Sequence, residues 1–264
     1  MTGETTTAVE LETPAPGTAV LRLNRPRRLN AIDEVMLGEL TETCARLAAD
    51  AETRVVVLTG AGRGFCSGLD VRDFGPSLPE ASAPAIDRLR FQERMAGLPG
   101  ALRALPQPVI AAVNGPAVGG GMALCLAADL RVCAASATFA NAAIQLGLSG
   151  AEMGMSYYLP RIVGLTVAAD WMLTGRTVTA HEAHHAGLVS AVVEDDRLLE
   201  HALDLAARIA GHSALGVQLT KRALQANTDA PSFAAALEIE NRNQLITHAT
   251  DEAAAERAKW AGRA

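Results

Sequence analysis

Aromatic side chains are scarce in this sequence: two Trp, two Tyr and five Phe make up 3% of its 264 residues. Its core must therefore be packed mainly from Ala, Leu and Val, and a hydrophobic content of 49% is enough to do so. Long apolar runs are lacking as well. The most apolar stretch, around Val118 to Leu126, is far short of a membrane span and is soon followed by Asp129 and Arg131. The chain is accordingly read as soluble, with no membrane partner. A basic excess is missing too. With a net charge of −6 and no long run of Lys or Arg, a general nucleic-acid binder is excluded, because counterion release needs a basic face. Any anionic ligand must be met by local basic groups. The cysteines Cys44, Cys66, Cys125 and Cys133 form no CxxC pair and no secretory leader precedes them. They are expected to be reduced, buried small hydrophobes in a cytoplasmic protein.

What is present is the alternation of an α/β fold. The Thr- and Glu-rich start, with Pro14 and Pro16 behind it, reads as a loose end before a strand over Thr18 to Leu23. Ile32, Val35, Met36, Leu40, Cys44 and Leu47 recur at helical spacing, and Asn30 is the expected cap. Val55 to Thr59, Val109 to Val113 and Leu130 to Ala134 are short continuous apolar runs, the pattern of strands buried on both faces. Strand, glycine-rich turn and helix thus alternate, which points to one α/β core over residues 1–195. After it, residues 196–264 read as helix upon helix: Arg197 to Ala210, Ala214 to Gln225, Phe233 to His248 and Asp251 to Trp260. Leu237, Ile239, Leu245 and Ile246 supply more apolar surface than a lone solvated helix needs, so this region is expected to pack on another subunit.

Two glycine-rich turns follow buried strands: GAGRGFCSGLD from Gly60 to Asp70, and NGPAVGGGMAL from Asn114 to Leu124. Neither is a phosphate cradle. A P-loop needs GxxxxGK followed by Ser or Thr, and in the first turn Ser67 stands where the last glycine of GxGxxG belongs. Glycines nevertheless let the backbone approach a ligand closely, and Gly119 to Gly121 leads straight into a helical segment over Met122 to Ala128. An N–H at that helix start points outward without a partner and would stabilise a carbonyl oxygen turning into an enolate. A second donor near Leu69 would complete the grip. Glycine turns after strands also occur with no chemical role, and the turns alone leave both readings open.

In combination the chain resembles the crotonase, or enoyl-CoA hydratase/isomerase, superfamily from about Val20 to Trp260. The matching pieces are LNRPRRLNAID (Leu23 to Asp33), VVVLTGAGRGFCSGLD (Val55 to Asp70), PVIAAVNGPAVGGGMALCLAADLRV (Pro108 to Val132), LPRIVG (Leu159 to Gly164) and LTGRTVTAHEAHHAGLV (Leu173 to Val189). The resemblance implies an acyl-CoA-processing enzyme with a spiral core of ββα turns. It also implies a C-terminal helical trimerisation region, giving a homotrimer or a hexamer. It places the two oxyanion-hole N–H groups on Leu69 and Gly120. Coenzyme A, part of the substrate rather than a resident cofactor, would enter along Arg27, Arg28 and Arg72, with Ser67 and Asp70 in the adjoining loop. Arginine suits phosphates because its fork donates two charge-assisted hydrogen bonds. Trp260 falls where the family often has a Phe that reaches a neighbour's ligand. The stretch Gly75 to Leu98 is expected to shape the acyl pocket.

The family pattern breaks at its acids. Hydratases of this superfamily use two glutamates, and the matching positions here are Ala123 and Ala143. General acid–base catalysis typically contributes about 10²–10⁴-fold, and alanine cannot supply it. Within GLSGAEMG, counting back from LPRIVG puts Glu152 where dienoyl-CoA isomerases and related dehalogenases of the superfamily carry an aspartate. Counting forward from Ala143 reaches the same residue only with a one-residue insertion. Glu152 is thus the candidate acid/base for double-bond isomerisation or hydration. The alternative is a non-catalytic acyl-CoA-binding protein. Asn141, Ser149, Tyr157 and Tyr158 lie nearby in sequence and could orient a water or serve structure alone.

HEAHH from His181 to His185 satisfies the zinc-protease pattern HExxH. Bounded by Thr179 and Gly187, it spans barely two helical turns and coincides with a surface helix of the resemblance. No metal site is assigned to it.

Overall fold

The computed structural model of the chain describes residues 7–75, 79–80 and 82–262. Strand β1 (Val9–Ala15) pairs antiparallel with β2 (Thr18–Leu23), so the expected loose start is a paired edge strand from Val9 onward. Residues 1–6 lie outside the described residues. Pairing with β2 overrides the polar composition of β1, most of which stays exposed as edge strands tolerate.

Helix α1 (Glu34–Ala49) starts two residues later than Ile32, and its cap is Asp33, whose Oδ1 accepts from the Met36 N–H at 2.8 Å. Asn30 is not the cap. It sits at φ 56°, in the left-handed region that Asn tolerates better than most residues, and its amide serves the first glycine turn.

Next come β3 (Val55–Gly60), α2 (Ala85–Arg103), β4 (Val109–Val113), the short β5 (Ala117–Val118) and α3 (Gly120–Ala127). They are followed by β6 (Leu130–Ala134), β7 (Thr138–Ala140), a 3₁₀ turn over Ala142–Leu146, α4 (Met155–Val163) and α5 (Leu165–Thr174). Then β8 (Val178–Thr179), α6 (Ala180–His185) and β9 (Ala191–Val193) close the core. The strands make a six-stranded sheet in the order β1-β2-β3-β4-β6-β9, parallel beyond β1, and a three-stranded sheet in the order β5-β7-β8. Successive turns of strand, strand and helix build the spiral that the family resemblance implies.

The continuous apolar runs are explained by cover on both faces. On one face Leu21, Val56, Leu58, Ala111 and Val113 join the core under α1, α2 and α3. On the other, Val20, Val55, Val57, Ile110, Ala112 and Val132 pack against α7 (Leu198–Ala210), which buries Leu198, Ala202 and Ala206 there. The helical stretch after residue 196 therefore begins with a helix laid on the sheet. Beyond it α8 (Ala214–Asn227), α9 (Phe233–His248) and α10 (Asp251–Ala261) extend outward, and neither α9 nor α10 has a buried residue. One ion pair anchors α8: Lys221 Nζ meets Asp129 Oδ2 at 2.7 Å and the Gln107 carbonyl at 2.8 Å.

Candidate functional site

The two glycine turns are brought together by short-range hydrogen bonds across the sheet ends. Asn114, at the end of β4, accepts from the Gly60 N–H at 3.1 Å and donates to the Gly62 carbonyl at 2.9 Å. Asn30 donates to the carbonyls of Ala61, Gly64 and Phe65 at 3.0, 2.7 and 3.2 Å. A parallel bridge joins Cys66 to Ala117, with the Val118 N–H on the Cys66 carbonyl at 2.9 Å. The contact is so close that a Cβ on Gly121 would stand 2.0 Å from the Cys66 oxygen. Only glycine fits there.

A second bridge joins Ile32 to Leu69. Its bonds run from Ile32 N–H to Gly68 O at 2.7 Å and from Asp70 N–H to Ile32 O at 2.9 Å. In a parallel bridge the residue between those two groups faces its own N–H the other way, and the Leu69 N–H has no acceptor among the described residues. The Gly120 N–H is equally without an acceptor, because it opens α3 and the first helical N–H groups have no intrahelical partner. The two are neighbours. A Cβ on Gly68, which has φ +88°, would lie 2.8 Å from the Val118 oxygen and 3.2 Å from the Gly120 nitrogen.

Glu152 comes to the same place. Its Oε1 stands 3.8 Å from where a Cβ on Gly119 would be, and the next residue, Met153, lays its Sδ 3.3 Å from the Cβ position of Gly120. Met153 is buried at φ +48°, a left-handed conformation rare for a long side chain, and Gly154 follows at φ +82°. These two residues turn the chain sharply into α4. Asn141, buried, holds the preceding loop by donating to the Gly150 carbonyl at 2.6 Å. Burial pushes the half-buried Glu152 carboxyl above its ordinary value, and its side chain has no ion-pair partner among the described residues. Ala123 and Ala143, which the resemblance matches to the family's two glutamates, are both buried. Ser149 Oγ accepts from the Ala151 N–H at 3.1 Å, a local turn within the same loop.

The basic loop lies beside Leu69. Arg27, Arg28 and Arg72 are exposed, Arg28 meeting Asp73 at 3.2 Å, and Ser67 Oγ donates to the Arg28 carbonyl at 3.3 Å. Asp70 is buried. Its Oδ2 is 3.0 Å from Arg25, and its Oδ1 accepts from the backbone N–H groups of Arg72 and Asp73. Burial pushes its pKa up, but those partners outweigh it and hold the carboxyl below its ordinary value. Arg25 also meets Asp33 at 3.0 Å, tying the start of α1 to the loop after Leu69. The sequence reading missed Arg25 and the true task of Asn30, although both stand inside LNRPRRLNAID. Part of Gly75 to Leu98 lies outside the described residues, and from Ala85 onward the stretch is the first part of α2.

Residues 14–261 match the sequence pattern of the enoyl-CoA hydratase/isomerase family. The chain belongs to that family. A probable enoyl-CoA hydratase of Mycobacterium bovis is 46% identical over 261 residues, covering 97% of this chain and 91% of the relative. A solved probable enoyl-CoA hydratase/isomerase from Mycobacterium abscessus superposes with a TM-score of 0.88 at 39% identity, covering 96% of both chains. A monofunctional enoyl-CoA isomerase from M. smegmatis gives 0.75 at 43% identity over 88% of this chain and 99% of its own. This enoyl-CoA hydratase/isomerase family member is an acyl-CoA-processing enzyme of α/β crotonase fold.

The HEAHH segment of this family member takes no part in the site. Its Glu182 is drawn into an ion pair with Arg176, His184 Nδ1 bonds the Val189 carbonyl at 3.0 Å, and no metal-binding cluster occurs among the described residues. The four cysteines are free and buried. No helix among the described residues is long and apolar enough to cross a membrane.

Proposed function

We propose that this enzyme shifts a carbon–carbon double bond in an enoyl-CoA thioester, with Glu152 as its single acid/base and the Leu69 and Gly120 N–H groups as its oxyanion hole. The observation that carries the reading is the Glu152 carboxyl beside Gly119, next to an N–H without an acceptor. With a 3-enoyl thioester, Glu152 takes a proton from C2 and the electrons move onto the thioester oxygen as a dienolate. The two N–H groups stabilise that charge where it develops. The protonated Glu152 returns the proton at C4, leaving the 2-enoyl product with nothing oxidised or reduced.

Hydration needs a water positioned and deprotonated as well as a proton delivered, and the family's second acid position is Ala143. A single carboxylate suits isomerisation better. The coenzyme A phosphates are taken by Arg27, Arg28 and Arg72. Ser67 and Asp70 shape that loop, Asp70 by holding it through Arg25. The reading needs no resident cofactor. A homotrimer or hexamer in the cytoplasm is proposed on the exposed apolar surface of the C-terminal helices, where Phe233, Leu245 and Trp260 are each about three-quarters exposed.

The test is turnover of 2-enoyl, 3-enoyl and dienoyl thioesters by the wild type and by Glu152→Gln. The isomerisation reading expects turnover of a 3-enoyl or dienoyl substrate that falls at least about 10²-fold in the variant while thioester binding persists. Tight binding without turnover of any thioester would favour a binding protein, and turnover indifferent to Glu152 would sink the assignment.

A further inference from the structure

A second concavity lies at the opposite end of α3 from the glycine turn, between α2, α3, α4 and α8, with a volume of about 440 Å³. Its walls carry Arg103, Arg131, Arg161, Tyr157, Tyr158 and Asp129. Arg161 is compensated, stacked at 3.7 Å on the Tyr157 ring and 3.1 Å from Asp229. Asp129 is committed to Lys221 at 2.7 Å and to the Val109 N–H at 2.8 Å. Four cations, Arg103, Arg131, Arg161 and Lys221, therefore face two carboxylates, Asp129 and Asp229.

The uncompensated pair is Arg103 and Arg131. Arg103 lies 5.2 Å from the Tyr158 ring centroid and has no carboxylate partner among the described residues. Arg131 spends Nε on the Leu188 carbonyl at 2.8 Å and Nη1 on the Ala128 carbonyl at 2.6 Å. It too has no carboxylate at ion-pair distance among the described residues, and its Nη2 has no acceptor there. Burial depresses Arg131 and Lys221, and in both the nearby Arg103 charge acts in the same direction while Asp129 opposes it. The Tyr158 hydroxyl has no hydrogen-bond partner among the described residues. Two guanidinium groups that repel one another thus line a cavity with a free phenol donor, and the one carboxylate on its wall, Asp129, is already paired with Lys221.

We propose that this cavity is a binding site for a small multivalent anion, a phosphate or a dicarboxylate, gripped by Arg103, Arg131 and the Tyr158 hydroxyl. The chemistry follows from the donors: guanidinium forks match the oxygen pairs of phosphate and carboxylate, and a phenol adds a third hydrogen bond. The volume admits an anion of that size with room for water. The site is distinct from the arginines proposed for the coenzyme A phosphates, which lie on the segments around Arg28 and Arg72.

The test is calorimetric titration of the full-length enzyme with inorganic phosphate, pyrophosphate and citrate, at an ionic strength held constant with chloride. Saturable binding of at least one anion is expected, and Arg103→Gln should weaken it at least about tenfold, the worth of one charge-assisted hydrogen bond. Tyr158→Phe should weaken it less, and Arg103→Lys should restore part of the loss. Thioester affinity should be unchanged in Arg103→Gln and in the presence of the anion. A preference for pyrophosphate or for citrate identifies phosphate or carboxylate as the natural group. The proposal is overturned if no anion saturates, if Arg103→Gln binds as the wild type does, or if a CoA thioester displaces the anion. It is also overturned if Arg103→Gln alters sedimentation instead, since a carboxylate of a second copy would then be the partner.

Discussion

Glu152 and Gly119 face each other across the start of α3, with Oε1 of the one 3.8 Å from the Cβ position of the other. The carboxylate is placed there by backbone conformation: Met153 and Gly154 are both left-handed, and Met153 packs its sulfur over Gly120. A left-handed residue other than glycine costs about 1–2 kcal/mol, offset here by burying the Met153 side chain.

Gly68 packs directly against the backbone that carries the Gly120 N–H. Gly68→Ala adds a methyl 2.8 Å from the Val118 oxygen at a φ of +88°, so the Val118–Gly120 backbone must move. Turnover should fall about 10²-fold, as misplacement by about 1 Å can cause. Steady-state kinetics checks this, with circular dichroism to show that the variant folds; wild-type turnover would mean that the turn is not at the reaction centre.

Acid should inactivate this enzyme earlier than an ordinary glutamate would. Burial raises the Glu152 pKa, and a base acts only when deprotonated, so activity appears as pH rises through that raised value. The acid limb of kcat/KM is expected to have its midpoint above about 4.3, the ordinary glutamate value. For stability the sign is opposite: a carboxyl raised on folding favours the native state at low pH and loses that contribution as pH rises through its folded value. A midpoint at or below the ordinary value would place Glu152 in open solvent.

Asn30 closes the first glycine turn by sharing the two N–H groups of its amide among three carbonyls. Asn30→Ala leaves buried carbonyls without their donor and puts alanine at φ 56°, which should destabilise the fold by about 2–4 kcal/mol. Urea unfolding measures it, and a loss below about 0.5 kcal/mol would contradict this role.

Lys221→Met should cost about 2–3 kcal/mol, because it strands a mostly buried Asp129 beside the start of β4. Asp129→Asn combined with Lys221→Met should recover part of that loss. Thermal unfolding of both variants beside the wild type decides it; a Lys221→Met protein as stable as the wild type would show that the stranded charge costs nothing.

The inner strands of the core were legible because buried parallel strands are continuous apolar runs: β4 and β6 begin and end where those runs do, and β3 extends its run by one residue. β1 was not legible: its residues are polar and exposed, and only its pairing with β2 makes it a strand. The cap of α1 was misplaced for a related reason. Asn30 and Asp33 are both good cap residues, and local sequence does not say that Asn30 is needed by a turn some thirty residues away.

The same division runs through the site. The residue order by itself determined the family and the two glycine turns, since each is a matter of residue identity at fixed spacing. Only the tertiary structure decided that Glu152 reaches Gly119, that the N–H groups of Leu69 and Gly120 have no acceptors among the described residues and lie beside each other, and that Asp70 is held by Arg25. Those relations join segments far apart in the chain, and they depend on sheet register and on the left-handed turn at Met153. A carboxylate's chemical task is set by what stands within a few ångströms of it, and spacing along the chain does not carry that distance.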